Sequence, residues 1–402
     1  MSPDRLAAGD DTAGCYVHLP FCDRICPYCD FAVVRHVRER VERYMSALAR
    51  EIDTSSRPRK PVRTIFLGGG TPSALDAGTL ERLLAALFKR FDIEPGSIEC
   101  SLEANPSRNI DDLPKWKGAG VTRLSIGIQS LDDGDLHKLG REHSAAQAEA
   151  FVRAAHTARF ASVSIDLIAG VPGQSPDSFA RTLERAISLE PDHVSVYGLT
   201  IEPSTPYASW HAREPDAFPD DDAVAEILST THVLLPSAGY EHYELSNFAR
   251  PGHRCRHNIG YWRQRDCIAY GMSAAGYEDG ERYRNERDFD AYCKAIEAGA
   301  SPCAEVERLD FKRRIGEAAM LALRTAEGIG DADFKRRFDI DVTIAFAAAR
   351  KKCSDAGLLE VDGHGARLTA KGRLLANDVC AEFLIPQIDE PSEQPSKGAP
   401  IA

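Results

Sequence analysis

Cys22, Cys26 and Cys29, in HLPFCDRICPYCDF (residues 18–31), present three thiols at the spacing CxxxCxxC. Three thiolates on one short loop can hold three irons of a [4Fe-4S] cluster and leave the fourth iron open to another ligand. Structural zinc competes for such residues, but it wants four ligands, and no second CxxC pair exists. His18 or Cys15 would complete a zinc set only at poor spacing. Three ordinary buried thiols are the remaining reading. Further along, FLGGGTPS (66–73) carries Gly68, Gly69, Gly70 and Thr71. Consecutive glycines admit positive φ and bring the backbone close to a ligand, or serve a tight strand-to-helix turn. Glu103, Gln129, Arg141 and Asp166 stand within or just beyond apolar runs, in LEANP, SIGIQS, LGREH and SIDLIAG. A buried charge without a partner is costly, so a ligand, a helix cap or an ion pair must answer each charged one.

The elements that must position these residues follow from periodicity. Short β-branched runs at 15–21, 63–69, 97–104, 121–128, 162–169 and 193–200 read as six strands. Between them, segments such as TLERLLAALFKRF and SAAQAEAFVRAAHTARF repeat apolar residues every three or four positions and read as amphipathic helices. Strand, helix, strand repeated in this way predicts an α/β fold with a parallel sheet and right-handed crossovers. Six units suit a partial (β/α)6 barrel, with a doubly wound sheet as the alternative. In either, functional residues gather at the carboxyl ends of the strands.

The predicted organisation is a flexible N-terminus over 1–14, a barrel over 15–240 and an extension over 241–305. A C-terminal domain over 306–386 and a disordered polar, Pro-rich tail over 387–402 complete it. In the C-terminal domain, helical segments lead into LLEV and ARLT around a turn, a winged-helix-like pattern. PDDD (219–222) reads as a solvated surface loop. No run of about 18 apolar residues is present, so no integral membrane segment is expected. The first residues lack the basic flank and apolar run of a signal peptide, which predicts a cytoplasmic protein whose 11 cysteines are free thiols or metal ligands. A net charge of -12 argues against a nucleic-acid surface.

CxxxCxxC with Tyr28 before its last cysteine resembles the radical S-adenosylmethionine (SAM) superfamily, in which the open iron of a [4Fe-4S] cluster chelates SAM. YVHLPFCDRICPYCDF is similar to the branch that holds oxygen-independent coproporphyrinogen III dehydrogenase and the HemW-type heme chaperones, over about residues 15 to 385. The resemblance implies Cys22, Cys26 and Cys29 as cluster ligands. It implies SAM contacts at Gly69, Gly70, Thr71, Glu103, Gln129, Arg141 and Asp166, and at Tyr16, Tyr28 and Gly198. GVPGQ (170–174) resembles a strand-end turn of the family, with Gln174 a candidate contact.

Two features separate the activities within that branch. The dehydrogenases carry a fourth cysteine where this chain has Phe31, whereas the chaperones carry an aromatic there. CRHNIGYW (255–262) matches the chaperones' HNxxYW motif through His257, Asn258, Tyr261 and Trp262. That match implies heme binding, with His257, His253 or Cys255 as the iron ligand. One departure stands beside it: Ala275 takes the place of a histidine in the family's following segment. The resemblance thus implies a heme chaperone with a cluster, SAM and heme. Its partners would be apo-hemoproteins and an electron donor, and it would form a homodimer. A tetrapyrrole-directed radical SAM enzyme is the alternative.

Overall fold

The structure, a computed structural model, describes residues 12–58 and 60–388. The expected flexible N-terminus and disordered tail lie outside the described residues, save for 12–14 and 387–388. Two compact units divide the chain, residues 1–307 and 308–402.

The six expected strands form in the first unit: β1 (Ala13–Leu19), β2 (Val62–Gly69), β3 (Glu99–Ala104), β4 (Arg123–Gln129), β5 (Ser162–Ala169) and β6 (His193–Gly198). They pair in sequence order, all parallel, with registers such as Leu102↔Leu124 and Asp166↔Ser195. Helices α1 (Arg38–Thr54), α2 (Ala77–Phe91), α3 (Leu113–Gly118), α4 (Ala145–Thr157) and α5 (Pro176–Ser188) lie in the connections. Their starts are built locally. The Asp76 carboxylate accepts from the Thr79 N–H, and Ser144 and Gln147 form a capping box.

Strand periodicity sorts the side chains. Cys15, Val17, Leu67, Leu102, Leu124, Ile126, Ile165 and Val194 join the buried core. The alternate positions turn the other way and are polar: Glu103, Arg123, Ser125, Ser164, Asp166, His193 and Ser195 line one cavity. A parallel strand buried on both faces is usually apolar throughout. Here one face is not, which marks the inner face as the working one.

The region after residue 200 extends this sheet at both edges. Helix α6 (Asp221–Ser237) begins where a loop was expected at 219–222. Asp220 caps it by accepting from the Ala223 N–H, and Asp221 and Asp222 sit in its first turn, where carboxylates favour the helix dipole. β7 (Asn247–Ala249) runs antiparallel to β6. Helix α7 (Arg256–Trp262) follows, and then β8 (Cys267–Tyr270) joins the far edge parallel to β1. Antiparallel strands Ala275–Glu278 and Glu281–Asn285, then Cys303–Arg308 at that edge, and Glu241–His242 antiparallel to β7 at the other, complete a sheet of 12 strands among the described residues.

In the second unit, Leu359–Val361 and Gly365–Leu368 form the expected hairpin, and Ile329–Gly330 adds a third strand. Ile315, Leu323, Phe334, Phe346 and Phe383 are buried in this unit. The helical segment VTIAFAAARKKCSDAG is split at Phe346 into Val342–Ala345 and Ala347–Asp355.

Candidate functional site

The three cysteines occupy the loop that leaves the carboxyl end of β1. Short strands Phe21–Cys22 and Val34–Arg35 pair in parallel and fold this loop back on itself. The Cys29 N–H donates to the Cys26 carbonyl at 3.1 Å, and Cys22 Sγ lies 3.5 Å from Thr71 Oγ1. Burial pushes the Cys22 thiol up to about 11 despite the Thr71 contact, and it raises Cys29 as well. Among the described residues no group of three or more His, Cys, Asp or Glu side chains converges as a site for a single metal ion. A cubane asks something else, since each thiolate binds a different iron.

Below the loop lies a cavity of about 600 Å³, lined by Cys22, Cys26, Tyr28, Cys29, Gly69, Gly70, Thr71, Glu103, Gln129, Arg141, Asp166 and Gly198 among others. Twelve of the fourteen residues expected to form the site therefore meet in one place. Gly69 has φ +113, and a Cβ there would lie 2.6 Å from the His18 ring; its N–H donates to Glu103 Oε2 at 3.1 Å. Burial pushes the Glu103 carboxyl up to about 8, the Asp166 charge adds to that, and the Gly69 N–H opposes it. Burial also raises Asp166, against hydrogen bonds from Ser195 and Ser125. Arg141 donates to the Gly127 carbonyl at 2.9 Å and lies 3.6 Å from Cys26 Sγ; its Nε is buried without a partner among the described residues. Gln129 itself has φ +64.

Tyr16 and His257 are the two that do not line the cavity. The Tyr16 hydroxyl bonds His18 Nδ1 at 3.1 Å, and His18 Nε2 reaches the Ala32 carbonyl at 2.8 Å, so Tyr16 supports the loop from beneath. Gln174 is likewise turned away: it accepts from the Gly170 N–H and donates to Asp135, each at 2.8 Å, and so fixes the turn. Cys15, once a candidate fourth thiol, is fully buried in the core.

His257 lies at the opposite end of the strands. Helix α7 closes the floor of the barrel, where the Glu99 carboxylate accepts from the Arg256 and His257 N–H groups at 3.1 and 2.9 Å. His257 Nδ1 bonds Thr64 Oγ1 at 2.9 Å and Nε2 bonds the Tyr261 hydroxyl at 3.1 Å. Both ring nitrogens are thus engaged, and burial lowers the imidazole to about 3. Strand length, about 17–20 Å, separates this floor from the cysteine loop. Cys255 and Asn258 face the cavity from below, while His253 pairs with Asp192 at 3.8 Å. Ala275 sits exposed on its strand opposite Arg284.

Phe31 stands at the mouth and is 72% exposed. Sequence reasoning missed Arg108, Arg123, Ser125, Ser164, His193 and Ser195, all of which line the cavity. For all of these but Arg108, which lies in a turn, the signal was the alternation within RLSIGIQ, SVSIDLIA and HVSVYG, which places polar residues on one face.

Residues 16–186 match the radical SAM superfamily, and residues 309–375 match the HemN C-terminal domain. The chain is 34% identical to the heme chaperone HemW of Lactococcus lactis, over 93% of this chain and 98% of that protein. It is 31% identical to the HemW of Bacillus subtilis, over 92% and 98%. The chain belongs to the HemW family. Among solved structures it is similar to coproporphyrinogen III oxidase (HemN) of Escherichia coli, a radical SAM enzyme. The TM-score is 0.81 and the identity 26%, over 94% of this chain and 91% of that one. Among the described residues no helix is long and apolar enough to cross a membrane.

Proposed function

We propose that this protein is a HemW-like heme chaperone that binds heme and passes it to apo-hemoproteins, working in the cytoplasm as a homodimer with an electron donor for its cluster. The observation that carries the reading is Phe31. A phenyl ring stands exposed at the mouth where the dehydrogenase branch has a cysteine, and it can neither move a proton nor do thiol chemistry. The likeness to HemN favours a second reading, a radical SAM enzyme acting on a tetrapyrrole.

The residues present fit a [4Fe-4S] cluster with SAM. Cys22, Cys26 and Cys29 would hold three irons, and metal binding would offset the cost of ionising buried thiols. Glu103 and Asp166 are two carboxyls penalised by burial, and Glu103 makes no ion pair among the described residues. A ligand bearing an ammonium and a sulfonium meets that demand. Gly69, Gly70 and Thr71 would bring backbone groups against it, with Gln129, Arg141 and Gly198 around it. When bound, the pair supplies one-electron chemistry, while the protein orients and shields it.

Anaerobic reconstitution followed by iron and sulfide analysis and hemin titration tests this. A heme band at stoichiometric load, without decarboxylation of coproporphyrinogen, is the expected result. Porphyrinogen turnover at enzymatic rates would establish the second reading instead.

A further inference from the structure

We infer that heme docks on the rim of the cysteine loop, with His36 as the axial ligand to its iron, and that His257 serves to hold the barrel floor. The inference rests on the proposed heme-binding function and assigns it a place.

Heme presents an apolar disk, an iron that takes an imidazole nitrogen, and two carboxylates. A site for it needs exposed apolar surface, an accessible histidine and cations without partners. His257 is buried and its two nitrogens are bonded. His36 differs on each count. It follows the short strand Val34–Arg35, and its N–H donates to the Cys22 carbonyl at 2.9 Å, which fixes it beside the cysteine loop. Its Nδ1 lies 3.7 Å from the Asp23 carboxylate, with the side chain 32% exposed. Asp23 is itself anchored by Arg108. The imidazole packs edge-on against Phe21, centroids 6.1 Å apart at 90°. Among the described residues its Nε2 makes no hydrogen bond. A carboxylate near one ring nitrogen, with the other nitrogen making no hydrogen bond, leaves the imidazole a donor atom for a metal and an outer-shell group to orient it.

The surroundings complete the match. Ile25 and Val37, each 43% exposed, and Phe31 are apolar side chains presented by the segment around His36. Of the neighbouring arginines, Arg38 bonds Glu42 and Arg40 lies over the Phe289 ring. Arg24 and Arg35 are exposed and pair with no carboxylate among the described residues. In a chain of net charge -12, two such arginines beside an accessible histidine suit the propionates.

The test is hemin titration of the full chain after its cluster is loaded, so that the cysteines are occupied, with iron, sulfide and SAM binding measured alongside. His36→Ala should change the position of the Soret band and weaken heme uptake by at least the roughly tenfold that even an outer-shell change costs a metal site. Free imidazole should restore the wild-type spectrum. His36→Gln, which keeps the size of the side chain, should behave as His36→Ala if the alanine variant loses its cluster. Arg24→Gln with Arg35→Gln should weaken uptake without moving the band. His257→Ala should lower the melting temperature and leave the heme spectrum of the folded protein unchanged. A wild-type spectrum and affinity in both His36 variants would overturn the assignment and leave heme binding intact, as would loss of the band in folded His257→Ala. Absence of heme uptake by the wild-type protein would instead overturn the functional reading beneath it.

Discussion

Glu103 couples the inner face of the barrel to pH. In the unfolded chain its carboxyl ionises near the ordinary 4.5, and in the fold near about 8, chiefly because of burial. Between those values the unfolded state has lost its proton and the folded state keeps it. The contribution of this group to stability is therefore full below about pH 4.5, falls as pH rises, and is flat again above about 8. Glu103→Gln removes that slope. The variant should match the wild type near pH 4.5 and exceed it by about 1–3 kcal/mol at pH 8.5, the cavity water screening part of the effect. Denaturant unfolding of the ligand-free protein across this range checks it, and parallel curves would refute it. The same substitution should weaken SAM binding, since the neutral amide offers no charge to a cationic ligand. A residue poised this way gives up stability so that a ligand can recover it.

At the scale of elements, the turn after β2 and the cysteine loop are one construction. The Gly70 N–H donates to the Leu19 carbonyl at 2.9 Å and the Thr71 N–H to the Phe21 carbonyl at 2.9 Å, so the glycine turn holds the chain on which the thiols sit. A Cβ on Gly70 would lie 2.7 Å from the Pro20 carbonyl carbon, and backbone cannot swing aside as a flexible side chain can. Gly70→Ala should cost about 1–3 kcal/mol, the price of overpacking, and lower the iron retained per chain. Gly118→Ala, where a Cβ meets nothing within 4 Å, should be neutral or stabilising by up to about 1 kcal/mol. Thermal melts and iron content of the two variants distinguish a specific clash from a general intolerance of alanine. The glycine turn and the six strands were legible because β-branched runs, helical periods and turn residues agree along those stretches. The placement of α7 was not. CRHNIGYW carries aromatic and imidazole groups that suit a ligand, but Thr64 and Glu99, which bind its histidine, come from strands far away in sequence. The edge strands after residue 265 were missed for a similar reason. CIAY is too short to declare itself, and it becomes a strand by pairing with β1.

At the scale of the whole molecule, among the described residues the first unit carries every residue of the cavity and the second carries none. All cavity-lining residues lie between Cys22 and Asn258, and the first unit has its own continuous core from Ala13 to Ile296. The second unit encloses Ile315, Phe334, Phe346 and Phe383 among its own helices and hairpin. A unit with its own core can fold by itself, and a site contained within one unit needs the other only for what the other adds. A chain ending at Leu309, which keeps the edge strand Cys303–Arg308, should therefore take up iron, sulfide and SAM as the full protein does. Its heme uptake should also persist, because His36, Arg24, Arg35 and Phe31 all belong to the first unit. What it should lose is any step carried by residues 310–388, and transfer of heme to an apo-hemoprotein is the step to measure. Retained binding with lost transfer would assign delivery to the second unit. Loss of iron and SAM binding in a folded truncated chain would show that the second unit completes the site, against the independence argued from the two cores.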